Sequence, residues 1–311
     1  MATDLIKSYT RYDIGWDSSI ADIEDQCQYF MYNLKDTLVT NCGAVVVSSS
    51  DSSVADASDN WGSAADLIWS TGAHSWIVLQ LDSVFSGFQI CIDLSESSYK
   101  NEAIVLTSAA GFTGGTTSAR PTATDEAVCL NSLQWGFSNV VDDSVRLSIV
   151  KATDNSIVYV LFFQDHEPEN VWIIGKAING PSEHTTPGCV WIGGVPSLST
   201  VCSNANIKTH VDGVKVDLVM SEVYAGGQQV LDSGQYYSYG FDSNEDFMLW
   251  GYSYISDTAE RLGFYGYIPD LYLLNEAHTN LNYLYQSDGS SLGWVIIGDL
   301  AIPCGATKIP R

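Results

Sequence analysis

"SVRLSIVKATDNSIVYVLFFQ", residues 144–164, contains two different kinds of strand separated by a turn. In the first, Val145, Leu147 and Ile149 alternate with Arg146 and Ser148, the two-residue period of a strand with one dry face and one wet face. In the second, 156–164, nearly every position is apolar, as in a strand covered on both faces. Asp154-Asn155 between them suits a tight turn, and "DHEPEN" leads on to a third run, "VWIIGKAI", from 171. Parallel neighbours need crossovers of about a dozen residues or more, so three strands with short links predict an antiparallel meander.

Other segments extend the pattern. "GVKVDLVM" alternates Val214, Val216 and Leu218 with Lys215 and Asp217. Further strand candidates are "AVVV" from 44, "HSWIVLQL" from 74, "GFQICIDL" from 87, "AIVLTSA" from 103, "QYYSYGF" from 235 and "GWVIIGDLAI" from 293. The alternation of long helices with strands that a parallel sheet requires is absent. The predicted fold is mainly β, with antiparallel sheets packed as a sandwich or as two small β subdomains. Residues 44–311 form this β region, with a break near 180–212 if it divides.

One amphipathic helix precedes it. Ile20, Ile23, Cys27, Phe30, Met31, Leu34 and Leu38 recur at steps of three and four, while Asp22, Asp25, Gln28, Asn33 and Asp36 take the other face. The spacing predicts a helix from about Ser19 to Leu38, capped by Ser18 or Ser19 and stopped at Gly43. Ahead of it, residues 1–43 begin with an arm bearing Leu5, Ile6, Tyr9, Tyr12, Ile14 and Trp16. That is more apolar side chain than a loose terminus displays. The arm either lies on a neighbouring subunit, which makes these six the candidate assembly residues, or folds back on its own sheet.

Acidic residues outnumber basic ones, 37 against 13, for a formal net charge of -24. Such a surface repels a phosphate backbone and an anionic lipid layer at long range, so neither nucleic acid nor membrane is expected as a partner. No run approaches the roughly 20 apolar residues of a membrane-spanning helix. The start "MATDLIKSYTRYD" lacks the basic, apolar and small-residue regions of a secretory signal, so export by that route is not expected. The seven cysteines, at 27, 42, 91, 129, 189, 202 and 304, are widely spaced among apolar neighbours and read as buried thiols. Cys189 and Cys202 with His184 or His210 match no compact zinc spacing.

Motifs that could carry chemistry fall short of it. His74 adjoins Ser75, but neighbouring side chains on a strand point to opposite faces, so the two are poor catalytic partners. One face of that strand carries Trp76 and Val78, the other Ile77, Leu79 and Leu81, which reads as a strand entering a core. "VLDSGQ" has the Asp-Ser-Gly of an aspartic-protease turn in a single copy, whereas the shared-proton dyad needs two. Asp242, Asn244 and Asp246 in "FDSNEDF" resemble half a calcium loop, without its glycine and closing glutamate. "QDHEPEN" reads as a polar hairpin tip, and "GFTGG" lacks the lysine and following helix of a phosphate loop. No catalytic residue, cofactor or metal is expected, and the chain does not read as an enzyme.

Two segments rich in small polar residues, 48–63 and 107–126, read as loops with functional potential or simple flexibility. The aromatic stretch from Tyr236 to Tyr254 is either a buried sheet face or a sugar-binding platform, the latter through Tyr236, Tyr237, Trp250 and Tyr254.

Taken in order, "IWSTGAHSWIVLQL" (68–81), "RLSIVKATDNSIVYVLFFQDHEPENVWIIGKAI" (146–178), "RLGFYGYIPDLYLL" (261–274) and "GWVIIGDLAIPCG" (293–305) resemble a layout found in virion structural proteins of tailed bacteriophages. The resemblance spans residues 60 to 305 loosely, and its distinctive part is the order of the segments. It implies a β-rich component of the neck, collar, tail or capsid surface, built in the host cytoplasm. Its partners would be further copies of itself and other virion proteins. The family supplies no catalytic residues. A carbohydrate- or host-receptor-binding β module, taking a host surface glycan, is the alternative, since it shares the strands and the aromatics.

Overall fold

The computed structural model of the chain describes residues 5–7, 9–21, 23–50, 63–64, 67, 74–81, 89–96, 102–109, 111–124, 134–136, 146–153, 157–164 and 167–175. Further on it describes 208–211, 214–225, 228–229, 248–249, 252–257, 272–274, 294–297, 300–303 and 307–309. These residues are mainly β, in antiparallel sheets, with one helix near the N-terminus. By backbone contacts the chain divides into two units: Met1–Arg11, Val150–Leu161 and Glu167–Arg311 in one, Tyr12–Ile149 and Phe162–His166 in the other.

The first strands are β1 (Leu5–Lys7) and β2 (Tyr9–Gly15), followed by helix α1 (Ile23–Thr40). Next come β3 (Val45–Ser49), β4 (His74–Gln80), β5 (Gln89–Glu96), β6 (Glu102–Ala109), β7 (Phe112–Thr113), β8 (Thr122–Ala123) and β9 (Gln134–Gly136). The meander is β10 (Arg146–Ala152), β11 (Ile157–Gln164) and β12 (Glu167–Gly175). Its sheet runs β12-β11-β10-β2, so consecutive strands are neighbours, as the short links require. The third strand starts earlier than the apolar run suggests, at Glu167, which leaves only Asp165 and His166 between β11 and β12.

β11 is the doubly covered strand the sequence describes: Ile157, Val158, Tyr159, Val160, Leu161 and Phe162 are all 0% exposed. In β10 the expected wet face is not wet. Ser148 is as buried as Leu147 and Ile149, and its hydroxyl donates to the carboxylate of Asp13 on β2. A hydroxyl inside a sheet is tolerable only with such a partner, and alternation alone does not reveal one.

A five-stranded antiparallel sheet, β3-β4-β5-β6-β9, packs with α1, which lies against β5. Cys27, Phe30, Met31, Leu34 and Leu38 form the buried stripe of the helix, as its periodicity predicts. The start differs. Asp17 accepts hydrogen bonds from the amide of Ser19 at 2.9 Å and from its hydroxyl at 2.6 Å, so that hydroxyl serves a preceding turn rather than a cap. These two bonds, the hydroxyl's first, hold the Asp17 carboxyl below the usual carboxylate range. Gln26, fully buried, reaches back to donate to the carbonyls of Asp17 and Ile20, and the first helical residue is Ile23.

The other unit is antiparallel as well. Val214–Ala225 pairs with Lys208–Val211, with Gln228–Gln229 and with Tyr252–Asp257, the last across a register shift between Val219 and Glu222. A second sheet is ordered Met248–Leu249, Tyr272–Leu274, Leu300–Pro303, Trp294–Ile297. The segment expected as one strand, "GWVIIGDLAI", is therefore a hairpin, with Ile297 opposite Leu300 and two residues, Gly298 and Asp299, between them. Gly-Asp is itself a tight-turn signal, masked in the sequence by apolar residues on both sides.

The helix ends where glycine permits. Gly43 has φ +74, and beyond it the amide of Ala44 reaches the Leu38 carbonyl at 2.9 Å. A Cβ at Gly43 would meet nothing within 4 Å, so substitution there strains the backbone without a clash. Gly43→Ala should cost about 1–2 kcal/mol, the penalty of left-handed backbone for a residue with a side chain, and Gly43→Asn less. Denaturant midpoints of the three proteins test this; equal midpoints for Ala and Gly would contradict it.

Candidate functional site

The best-defined candidate is built around Trp76, 3% exposed, in β4. β4 follows the sequence reading closely: Ser75, Trp76, Ile77, Val78 and Leu79 are all buried, so both faces of the strand are covered. His74 pairs with Ser95 at the strand entrance and adjoins Ser75 along one strand, which gives no catalytic pair. Across the ladder Trp76 faces Asp93 and Val78 faces Cys91. Trp76, Val78 and Cys91 form a cluster against which the partly buried Phe112 packs.

Phe112 belongs to a segment expected to be a loop. Residues 111–124 fold instead into the β7–β8 hairpin, with Phe112 opposite Ala123 and Thr113 opposite Thr122. Its base is closed by the amide of Thr124 on the Gly111 carbonyl at 2.9 Å. At its tip the amide of Thr116 donates to the Ala119 carbonyl at 2.7 Å, with the reciprocal bond at 3.3 Å. Such a two-strand ribbon is marginal alone. Here it is fixed to the sheet by the indole Nε1 of Trp76, which donates to the Thr116 carbonyl at 2.9 Å.

The ring also explains one glycine. A Cβ at Gly115 would overlap the indole, lying 2.9 Å from Cε2, and would sit 3.1 Å from the backbone nitrogen of Pro121. Gly115 also has φ +99. Adjacent Gly114, with φ +70, has open space instead.

The backbone of Trp76 is engaged too. Its amide donates to the Ser50 hydroxyl at 3.1 Å, and its carbonyl accepts from the Ser50 amide at 2.9 Å. Ser50 closes β3, the edge strand of the sheet. One residue thus ties an edge strand to an exposed hairpin.

The electrostatics of the cluster favour holding over chemistry. Asp93 is buried beside Cys91, and burial pushes the Cys91 thiol strongly up; Asp93 adds to that, and Arg120 partly offsets it. A thiol held protonated at neutral pH is no nucleophile. The surface above is uncharged: Thr113 to Ala119 are exposed and contain no ionisable side chain, and neither does Ala44–Ser50. β3 exposes Val45 (55%) and Val47 (38%), the large apolar side chains at the surface among the described residues. No group of three or more His, Cys, Asp or Glu side chains among the described residues is placed to hold a metal ion. No described helix is long and apolar enough to cross a membrane.

The candidate assembly residues lie in strands of the chain itself. Leu5 and Ile6 are in β1, paired with Ile309 and Lys308. In β2, Tyr9 and Ile14 are buried and Tyr12 is half-buried; Trp16, just after it, is also half-buried. Tyr9 and Ile14 are thus covered within the chain itself. Among the ligand-platform residues, Tyr236, Tyr237 and Trp250 lie outside the described residues, as do Asp232, Asp242, Asn244 and Asp246. The backbone of Tyr254 pairs with Glu222. Cys27, Cys42 and Cys91 are buried, as expected; the other four cysteines lie outside the described residues.

No protein-family model matches the chain, and no curated protein matches it in sequence.

Gly114 and Gly115 form an internal control for the packing of the hairpin on Trp76. Gly114→Ala should cost about 1–2 kcal/mol for positive φ alone, whereas Gly115→Ala adds overpacking of about 1–3 kcal/mol against the indole. Equal losses of stability in chemical denaturation would mean that the hairpin does not rest on the ring.

Proposed function

We propose that the chain is a non-enzymatic structural component of a tailed-bacteriophage particle, working through protein–protein contacts with copies of itself and with other virion proteins. The observation that carries this reading is the uncharged strand β3, which ends the strand order of its sheet among the described residues, with Val45 and Val47 exposed and Ser50 hydrogen-bonded to the backbone of Trp76. Monomeric β proteins usually blunt their edges with charge, proline or a cover, because an open edge invites another strand. An edge that keeps β-branched apolar residues at the surface suits a protein whose task is to be joined. The order of the sequence segments that resembles the phage-particle layout supports the reading as well. Synthesis and assembly in the host cytoplasm fit a chain with buried thiols at Cys27, Cys42 and Cys91.

Mass spectrometry of gradient-purified particles from cells carrying this coding sequence tests the proposal. The chain should be present in a fixed ratio to the other particle proteins and resist removal by salt washing. Its absence from particles, combined with binding on a glycan array that Trp250→Ala abolishes, would replace the proposal with the host-glycan module.

A further inference from the structure

We infer that the β7–β8 hairpin is a strap over the Trp76–Val78–Cys91 face of the five-stranded sheet, opening as one unit while the sheet beneath stays folded, so that the Cys91 thiol is reached through that opening rather than through global unfolding. The hairpin meets this face at three places along its length. Near its base Phe112 packs against Trp76, Val78 and Cys91. At its tip the backbone of Gly115 lies against the indole, and the Thr116 carbonyl accepts the indole N–H. On the return, Arg120 comes near enough to Cys91 to act on its thiol electrostatically. Under this cover Cys91 is 1% exposed.

The fastenings of hairpin and sheet are unequal. Among the described residues one hydrogen bond, from the Trp76 indole to Thr116, joins the hairpin to the sheet. The bonds of Thr124 to Gly111 and of Thr116 with Ala119 are internal and move with the hairpin as it lifts. Beneath it, β4 pairs with β5 over six positions and β5 with β6 over eight. Lifting the strap therefore gives up one hydrogen bond and the packing of Phe112 and the indole, whereas parting the strands breaks whole ladders. Local opening comes first.

The consequence is a conditional thiol. In the closed state burial foremost, and then Asp93, keep Cys91 protonated against the partial offset from Arg120, and the thiolate is the nucleophile. Opening admits water and removes the largest of these effects, so the thiolate forms and reacts. Cys27 serves as a reference in the same chain, since it is 0% exposed on the buried stripe of α1, which lies against β5.

Native-state alkylation of the full-length chain with iodoacetamide, in which the thiolate displaces iodide, tests the inference when it is quenched and mapped by peptide mass spectrometry. Cys91 should label roughly ten-fold faster than Cys27 or more, at a rate that sub-denaturing urea barely changes, because a local opening exposes little surface. Trp76→Phe should raise the Cys91 rate by about ten-fold, the worth of one hydrogen bond, and leave Cys27 unchanged. Equal rates at Cys91 and Cys27 in the parent, with the same steep dependence on urea, would overturn the inference. So would a Trp76→Phe protein in which both rates rise together or in which the Cys91 rate stays the same. The parent measurement decides the matter even where the variant fails to fold.

Discussion

The N–H of the Trp76 indole ties the β7–β8 hairpin to the five-stranded sheet. A buried tryptophan needs a partner for that group, because leaving it unpaired costs on the order of 1–3 kcal/mol. The partner here is the Thr116 carbonyl at a hairpin tip that would otherwise be too short to hold a shape. Satisfying one buried donor therefore orders an exposed loop. The same residue's amide and carbonyl are both used by Ser50, so the edge strand and the hairpin share one anchor.

Beneath that surface the sheet is fixed by ordinary burial. The face of β4 and β5 opposite Trp76 carries Ile77, Leu79, Ile90, Ile92 and Leu94, all 0% exposed, and helix α1 brings its own fully buried stripe against β5. The polar residues that enter these interiors are tethered. Gln26 is spent on the turn before the helix, and Ser148 on Asp13. The buried Lys35 brings its ammonium 4.5 Å from the centre of the half-buried Tyr32 ring, a cation–π arrangement.

What was readable in the sequence was whatever periodicity controls. The helix stripe from Cys27 to Leu38, the doubly covered β11 and the core strand His74–Gln80 all follow from spacing alone, because burial acts on each side chain separately. What escaped was whatever depends on a distant partner. Ser148 resembled a wet-face residue until Asp13 was brought beside it. "GFTGGTTSARPTAT" resembled a loop because neither of its two-residue strands can stand without Trp76, which lies about 40 positions away. The adjacent Gly114-Gly115 was the signal available, as a turn that could close a hairpin. The N-terminal arm was half legible: its apolar content announced burial, but composition cannot say whose surface receives it. The place of β3 at the end of its sheet among the described residues was not legible, because sheet order is set by pairing between distant segments.

The central claim is that the Trp76 indole, through one hydrogen bond, holds the hairpin on the sheet. Amide hydrogen exchange in Trp76→Phe measures it most directly, since phenylalanine keeps an aromatic ring in the cluster and removes only the N–H. The account predicts faster exchange at the amides of Thr116 and Ala119, by ten-fold or more, with little change at Ser50, whose bond is to the backbone of residue 76. Unchanged protection at Thr116 and Ala119 would contradict it.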